Sequence, residues 1–162
     1  MGRKLTLWDF SHGSPRVWEH RSEKPDGSKL VAGAEPTAVG LWEQIDERSG
    51  DTHSWFRITE RDGVYEGTVA KICSPSTRAE KSSASFVGVK IITGMRRDGT
   101  SYQNGTITDP RDGSRYSALM RLSADGQKLE VRGYIGISLL GRSQIWRRLP
   151  DDALTHEASE AC

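Results

Sequence analysis

The chain has 162 residues, the size of one ordinary domain, and its 35% hydrophobic and 28% charged residues are typical of a folded globular protein. The 23 basic and 22 acidic side chains leave a net charge of +1, which excludes a protein that attracts nucleic acid through its overall charge. No apolar run approaches the roughly 18 residues of a membrane-spanning helix, so a membrane span is excluded as well.

The first 38 residues mix charged residues, serines, glycines and isolated aromatics without alternation or helical period. We predict that residues 1–38 form a disordered or atypical leader. Residues 32–34 (Ala-Gly-Ala) resemble the cleavage end of a secretory signal peptide, but the polar residues 21–29 cannot form the apolar core of one. Two alternatives stay open: the protein is cytoplasmic, or the start codon is misassigned and the real signal sequence is not read here.

From Val39 onward, Asp-Gly and Ser-Gly pairs recur between runs rich in β-branched and aromatic residues. Because Asp and Gly tolerate the positive φ of tight hairpin turns, this pattern predicts a meander of strands. The eight predicted strands are 39–46, 53–60, 64–72, 86–93, 101–107, 115–122, 128–135 and 142–148. No helix of three or more turns fits between them, which excludes the crossovers of a parallel sheet.

Eight sequential antiparallel strands leave two unpaired edges unless the sheet closes on itself. We therefore expect an all-β fold, an eight-stranded antiparallel up-and-down barrel over residues 39–149, with a β-sandwich as the alternative. Residues 150–162 carry four acidic groups, no Lys or Arg, and no periodic apolar face. They are predicted to form an acidic, flexible tail.

A short motif suggests how the barrel is closed at one end. Gly40-x-Trp42 begins the first predicted strand, and Trp146 and Arg148 end the last one. This resembles lipocalin-like (calycin-like) barrels, in which a Gly-x-Trp plugs the closed end and a basic side chain from the last strand packs across the indole. The resemblance implies that Gly40, Trp42 and Arg148 close the barrel, with Trp146 and Arg148 on one face of their strand.

Longer segments carry a more specific resemblance: residues 40–46 (GLWEQID), 57–67 (RITERDGVYEG), 105–113 (GTITDPRDG) and 129–142 (LEVRGYIGISLLGR). Over residues 39–149 the chain resembles domain-of-unknown-function family 2147 (DUF2147), small bacterial proteins usually exported to the periplasm or beyond. The resemblance implies a lipocalin-like fold, a periplasmic or secreted location, and binding of a small hydrophobic molecule. It also implies a cysteine pair near residues 73–85, where this chain has only Cys73.

The chain has two cysteines, Cys73 in a predicted loop and Cys162 at the last position. A bond between them would require the tail to fold back onto the barrel. We therefore prefer two free thiols, with a single Cys73–Cys162 bond as the alternative.

The side chains that carry catalysis or bind metals are scattered along the chain. No zinc-binding spacing, phosphate loop or dinucleotide fingerprint is present. The four histidines are His12, His20, His53 and His156. We predict a noncatalytic protein without metal or cofactor, in which Arg96-Arg97 is a solvated hairpin tip rather than a nucleic-acid site.

Strand alternation selects the side chains that would line the interior of the barrel, which at eight strands holds packed side chains or one small ligand. The predicted ligand contacts are Val89, Ile91, Tyr116, Met120, Val131, Gln144 and Trp146. The expected occupant is a small hydrophobic molecule such as a lipid or fatty acid. The alternative is a filled barrel that acts through its outer surface, as a cell-envelope structural or protein-interaction module.

Overall fold

The computed structural model describes residues 34–46, 48–73, 86–137 and 141–155. The chain divides into two compact units, Met1–Glu35 and Pro36–Cys162, and the described strands all belong to the second unit. Nearly all of the predicted leader lies outside the described residues. The strands are β1 (Gly40–Ile45), β2 (Thr52–Arg61), β3 (Val64–Ile72), β4 (Lys90–Asp98), β5 (Ser101–Thr108), β6 (Arg115–Leu122), β7 (Lys128–Tyr134) and β8 (Arg142–Leu149).

The eight strands form one closed antiparallel barrel. Each strand pairs with its neighbours in the chain, and β1 pairs with β8, so closure removes both sheet edges. The predicted all-β up-and-down barrel is confirmed, and the β-sandwich alternative is wrong. The closing register places Trp42 directly opposite Arg148, so the two halves of the sequence motif are cross-strand neighbours.

Aspartate–glycine pairs form the tight turns, as the sequence predicted. Asp62 and Gly63 join β2 to β3 with φ of 54° and 74°, and two positive φ angles are what a type I′ hairpin turn requires. Gly99, Gly113 and Gly126 also have positive φ, and each follows an aspartate in a connection between strands.

The fourth strand differs from the prediction of residues 86–93, because it spans Lys90–Asp98. Gly94 lies inside it with φ of 73°, and the register against β3 is irregular on either side of Gly67. These are features of β-bulges, which allow a strand to continue through a glycine. Residues 86–89 form a turn ahead of the strand instead.

The strand directions define two ends of the barrel. The turns at 62–63, 99–100 and 123–127 lie at one end together with the segment 36–39, and we call this the closed end. The connections from β1 to β2, β3 to β4, β5 to β6 and β7 to β8 lie at the other, open end.

The largest fully buried side chains are Trp42, Trp146, Tyr102, Phe56, Leu41, Ile58, Ile91, Ile92, Met95, Ile107, Met120 and Leu129.

A second apolar cluster, which we call the outer cluster, consists of Leu41, Trp55 and Cys73 with Ala153 and other partly buried residues packed against it. Leu41 lies beside the inward-facing Trp42, so strand alternation directs it to the outside of the barrel. It is nevertheless fully buried, because the outer cluster covers it.

The start of the C-terminal segment, residues 151–155, contacts the barrel. Residues 151–155 form a turn, and the Asp151 carboxylate accepts a hydrogen bond of 2.8 Å from Arg57 on β2. Ala153 adds an apolar contact with the outer cluster. Residues 151–155 thus contact the barrel through an ion pair and a small apolar residue. Residues 156–162 lie outside the described residues.

Cys73 is disulfide-bonded and 5% exposed, so the preference for two free thiols is wrong. The reason lies in the preceding contact, because Ala153 packs against the same cluster as Cys73 and returns the C-terminal segment to this side of the barrel. Cys162, the other cysteine of the chain, lies outside the described residues.

Candidate functional site

The closed end is plugged by Trp42, which is fully buried. Its indole Nε1–H donates a hydrogen bond of 2.8 Å to the carbonyl of Ala38, which fixes the ring against the segment that enters the barrel. The guanidinium carbon of Arg148 lies 4.3 Å from the centroid of the indole, within the range of a cation–π contact. The geometry therefore agrees with the closure that the sequence motif implied for Trp42 and Arg148.

The Arg148 guanidinium also connects three separate backbone segments. It donates to the carbonyl of Gly126 (2.6 Å), the carbonyl of Val39 (2.8 Å) and the carbonyl of Thr37 (2.5 Å). Burial lowers the pKa of this guanidinium, and the nearby Asp151 carboxylate opposes the shift. Arginine remains charged at neutral pH, so all three bonds have a charged donor.

Gly40 has no side chain, and the Arg148 guanidinium occupies the space where a side chain would lie. A Cβ atom at Gly40 would lie 2.6 Å from Arg148 Nη1, and the φ of 140° also disfavours other residues. Tyr102 completes the closed end, because its hydroxyl accepts a hydrogen bond of 2.8 Å from the Ala38 backbone N–H. Sequence reasoning did not assign this role to Tyr102, although its position on the inward face of a strand could have suggested it.

An aromatic stack crosses the middle of the interior. The rings of Phe56 and Trp146 lie 4.3 Å apart at an angle of 12°, and both side chains are buried. We call the inward residues between this stack and the open end the open half of the interior. Of the predicted ligand contacts, Trp146 thus forms a boundary of the open half rather than its lining.

Polar side chains occur on the wall of the open half. Gln144, which was predicted to contact ligand, lies two residues from Trp146 toward the open end, and its Oε1 accepts a hydrogen bond of 3.3 Å from Trp146 Nε1. Gln44 and Ser54 are cross-strand partners, 6% and 2% exposed. Neither was predicted as a site residue, although alternation from Trp42 places Gln44 on the inner face.

The other predicted contacts are distributed over the interior. Tyr116 is half-buried at the open end of β6, and Ile91 is buried at the open end of β4. Met120 and Val131 are fully buried cross-strand partners, and Val131 also pairs with Gln144.

Val89, which was also predicted as a ligand contact, lies at the rim of the open end. Its side chain is 37% exposed, and β4 begins one residue later. The alternation on which the prediction relied holds only within an unbroken strand.

Small residues reduce the side-chain volume on one part of the open-half wall. Ala118 on β6 pairs directly with Gly133 on β7, and both are buried. Gly105, the partner of Ala118 on β5, has its space taken by the Met95 side chain. The Ala118–Gly133 pair therefore contributes little side-chain volume to this part of the wall.

The rim of the open end carries exposed apolar side chains. Val87 and Val89 precede β4 with exposed fractions of 49% and 37%, and Ile135 and Ile137 follow β7 with 69% and 59%. The open end therefore has an exposed aliphatic border.

A hydrogen-bonded aspartate and histidine also lie at this rim. Asp46 Oδ2 is 3.3 Å from His53 Nε2. Backbone hydrogen bonds from Ser49 and Arg48, followed in importance by the contact with His53, lower the pKa of the Asp46 carboxyl group. This carboxylate therefore stabilises the β1–β2 connection.

Within the described ranges, no group of three or more His, Cys, Asp or Glu side chains is arranged to hold a metal ion. The described part of the chain also has no helix of the length and apolar character needed to cross a membrane.

A plugged, eight-stranded antiparallel barrel of this kind is lipocalin-like. Protein HP1028 from the human pathogen Helicobacter pylori, whose solved structure is described as belonging to the lipocalin family, is similar in fold with a TM-score of 0.56. The two share 16% sequence identity, and the match covers 72% of this chain and 86% of that protein.

The family model described as "Uncharacterized protein conserved in bacteria (DUF2147)" matches residues 40–148, more than half of the chain. The chain therefore belongs to the DUF2147 family. A search of curated proteins found no significant match.

Proposed function

We propose that this protein is a noncatalytic binding protein that holds one small, mainly apolar molecule in the open half of its barrel. The observation that supports this most directly is the asymmetry of the interior. Trp42 and Arg148 plug the closed end, whereas the open half has polar wall residues, a pair of small residues and an apolar rim. Ligand sites combine apolar lining with a few placed polar groups in this way.

In this proposal, the stack of Phe56 and Trp146 forms the floor of the site. Ile91, Tyr116, Val131 and Gln144 contribute to its walls. Met120, the cross-strand partner of Val131, lies one strand farther from Gln144 and supports the wall. An aromatic floor favours an apolar portion of the ligand, such as an acyl chain or a ring.

We also propose that the protein works in the periplasm or is secreted. The disulfide bond at Cys73 supports such a location, because disulfides persist in oxidising compartments and are rare in the reducing cytoplasm. Mass spectrometry after alkylation of protein taken directly from its host tests this. Recovery of the oxidised form supports an oxidising compartment, and full alkylation of Cys73 contradicts it.

The alternative function is that of a filled barrel acting through its outer surface as a cell-envelope structural or protein-interaction module. The fully buried aromatic side chains Trp42, Tyr102, Phe56 and Trp146 favour it, since they fill much of the interior. Native mass spectrometry of gently purified protein, before and after exposure to a fatty acid, separates the two functions. A bound lipid or fatty-acid mass supports ligand binding, and an unchanged apo mass supports the filled barrel.

Ala118→Phe tests the location of the site. If the open half holds ligand, the added ring occupies that space, so binding is lost while the melting temperature changes little. If the interior is filled, the ring overpacks it and costs about 1–3 kcal/mol. Leu119→Phe is the matched control, because Leu119 faces the other side of the same strand and its substitution leaves binding intact.

A further inference from the structure

Gln44 has an unsatisfied hydrogen-bonding group on the interior wall. Its side chain is 6% exposed, and its Oε1 is buried without a hydrogen-bond partner in the described part of the chain. The register places it between Ser54 on one side and Trp146 on the other. Because Trp42 on the same strand points into the barrel, Gln44 two residues later does too.

The nearby wall residues do not supply the missing donor. The indole N–H of Trp146, the residue opposite Gln44, is directed to Gln144 Oε1 at 3.3 Å instead. A buried carbonyl oxygen without a partner costs free energy, and such groups in native proteins are uncommon enough to require an explanation. A ligand that supplies a donor at this position would remove that cost.

We propose that the ligand of the open half carries an N–H or O–H donor that bonds to Gln44 Oε1, while its apolar portion lies against Phe56 and Trp146. This inference rests on the proposed function and specifies the class of ligand: a mainly apolar molecule with a neutral hydrogen-bond donor, such as a long-chain alcohol or amide. An apolar molecule with acceptors alone leaves Gln44 unsatisfied and binds more weakly.

A pair of probes that differ only in the donor tests this inference. 1-Decanol carries an O–H donor, and its isomer methyl nonyl ether has the same number of carbon atoms with an acceptor oxygen alone. Isothermal titration calorimetry, with tryptophan fluorescence as the second readout, measures both affinities for the full chain. We expect wild-type protein to bind the alcohol about fivefold to tenfold more tightly than the ether, the scale of one net hydrogen bond.

Two glutamine variants test whether Gln44 is the residue that accepts the hydrogen bond from the ligand. Gln44→Leu keeps the volume of the side chain but removes the acceptor, so the two probes should bind it equally. Gln103→Leu is the matched control, because Gln103 follows the inward-facing Tyr102 on β5 and its side chain bonds to Asp98 at the exposed surface, so this variant should keep the preference for the alcohol. If Gln44→Leu does not fold, Gln44→Met serves the same purpose.

The outcomes separate the two proposals. If neither probe binds wild-type protein, the proposed function fails. If both bind wild-type protein with equal affinity, the proposed function stands and the inference about Gln44 is overturned. A preference that survives Gln44→Leu, or disappears in Gln103→Leu, overturns it as well.

Discussion

Replacing Arg148 by Met tests whether one guanidinium holds the closed end together. Methionine keeps the apolar stem, so the loss comes from the guanidinium's hydrogen bonds and from the contact 4.3 Å from the Trp42 ring. The bonds to Gly126 and Thr37 are partly buried, whereas the bond to Val39 is exposed and water can replace it. Counting about 1 kcal/mol for each partly buried bond and about 1 kcal/mol for the cation–π contact gives about 3 kcal/mol.

Urea denaturation followed by tryptophan fluorescence measures this loss, and for a domain of this size it corresponds to a drop of about 12 °C in melting temperature. The matched control is Arg147→Met on the same strand. Arg147 points outward, and its pair with Glu43 (2.7 Å) should contribute less than about 1 kcal/mol. If both variants lose the same free energy of unfolding, the conclusion that Arg148 holds the closed end together is refuted.

Three further substitutions test other parts of the barrel. Trp42→Ala should cost about 3–5 kcal/mol in urea denaturation, as the deletion of a large core side chain does, without removing a ligand contact. Gly40→Ala should lower the melting temperature more than Gly113→Ala, since both residues have positive φ but a Cβ would meet a neighbouring atom only at Gly40; equal effects would contradict this. The pKa of Asp46 is lowered in the folded state, so its carboxylate contributes stability above the unfolded-state pKa, and this contribution is lost as the pH falls through the folded-state pKa. Asp46→Asn should therefore show a smaller loss of stability on acidification than wild-type protein, measured by denaturation between about pH 6 and pH 3; parallel pH profiles would contradict this.

Strand order and closure could be predicted from the sequence because they depend on local signals. Asp62-Gly63 specifies a tight turn by its backbone preferences alone, and the register that follows brings Trp42 opposite Arg148. Gly40 was likewise predicted as part of the closure, and the structure supplies the reason, because a side chain there would meet the guanidinium. Residue types at fixed spacing were therefore sufficient to predict the strand order and the closure of the barrel.

The remaining features depend on contacts that no local pattern encodes. The disulfide at Cys73 accompanies a C-terminal segment that docks through Asp151 and Ala153, two residues without periodicity. The direction of Val89 was predicted from a strand over residues 86–93, whereas β4 begins at Lys90, so regular alternation does not extend to this residue. Gln44 was missed because a polar residue on a strand is ordinarily assigned to the solvent face, although its alternation with Trp42 places it on the inner face.

The two ends of the barrel contribute differently to stability and binding. At the closed end, the indole of Trp42 and the guanidinium of Arg148 have their hydrogen bonds satisfied, so this end favours one rigid arrangement. In the open half, Gln44 keeps an unsatisfied acceptor, which lowers stability in the absence of ligand. The stack of Phe56 and Trp146 lies between the closed end and the open half. Substitutions at the closed end should therefore change the free energy of unfolding but leave the ligand affinity of the folded protein unchanged. A closed-end variant that is fully folded and yet binds 1-decanol more weakly would show that the stack couples the two ends.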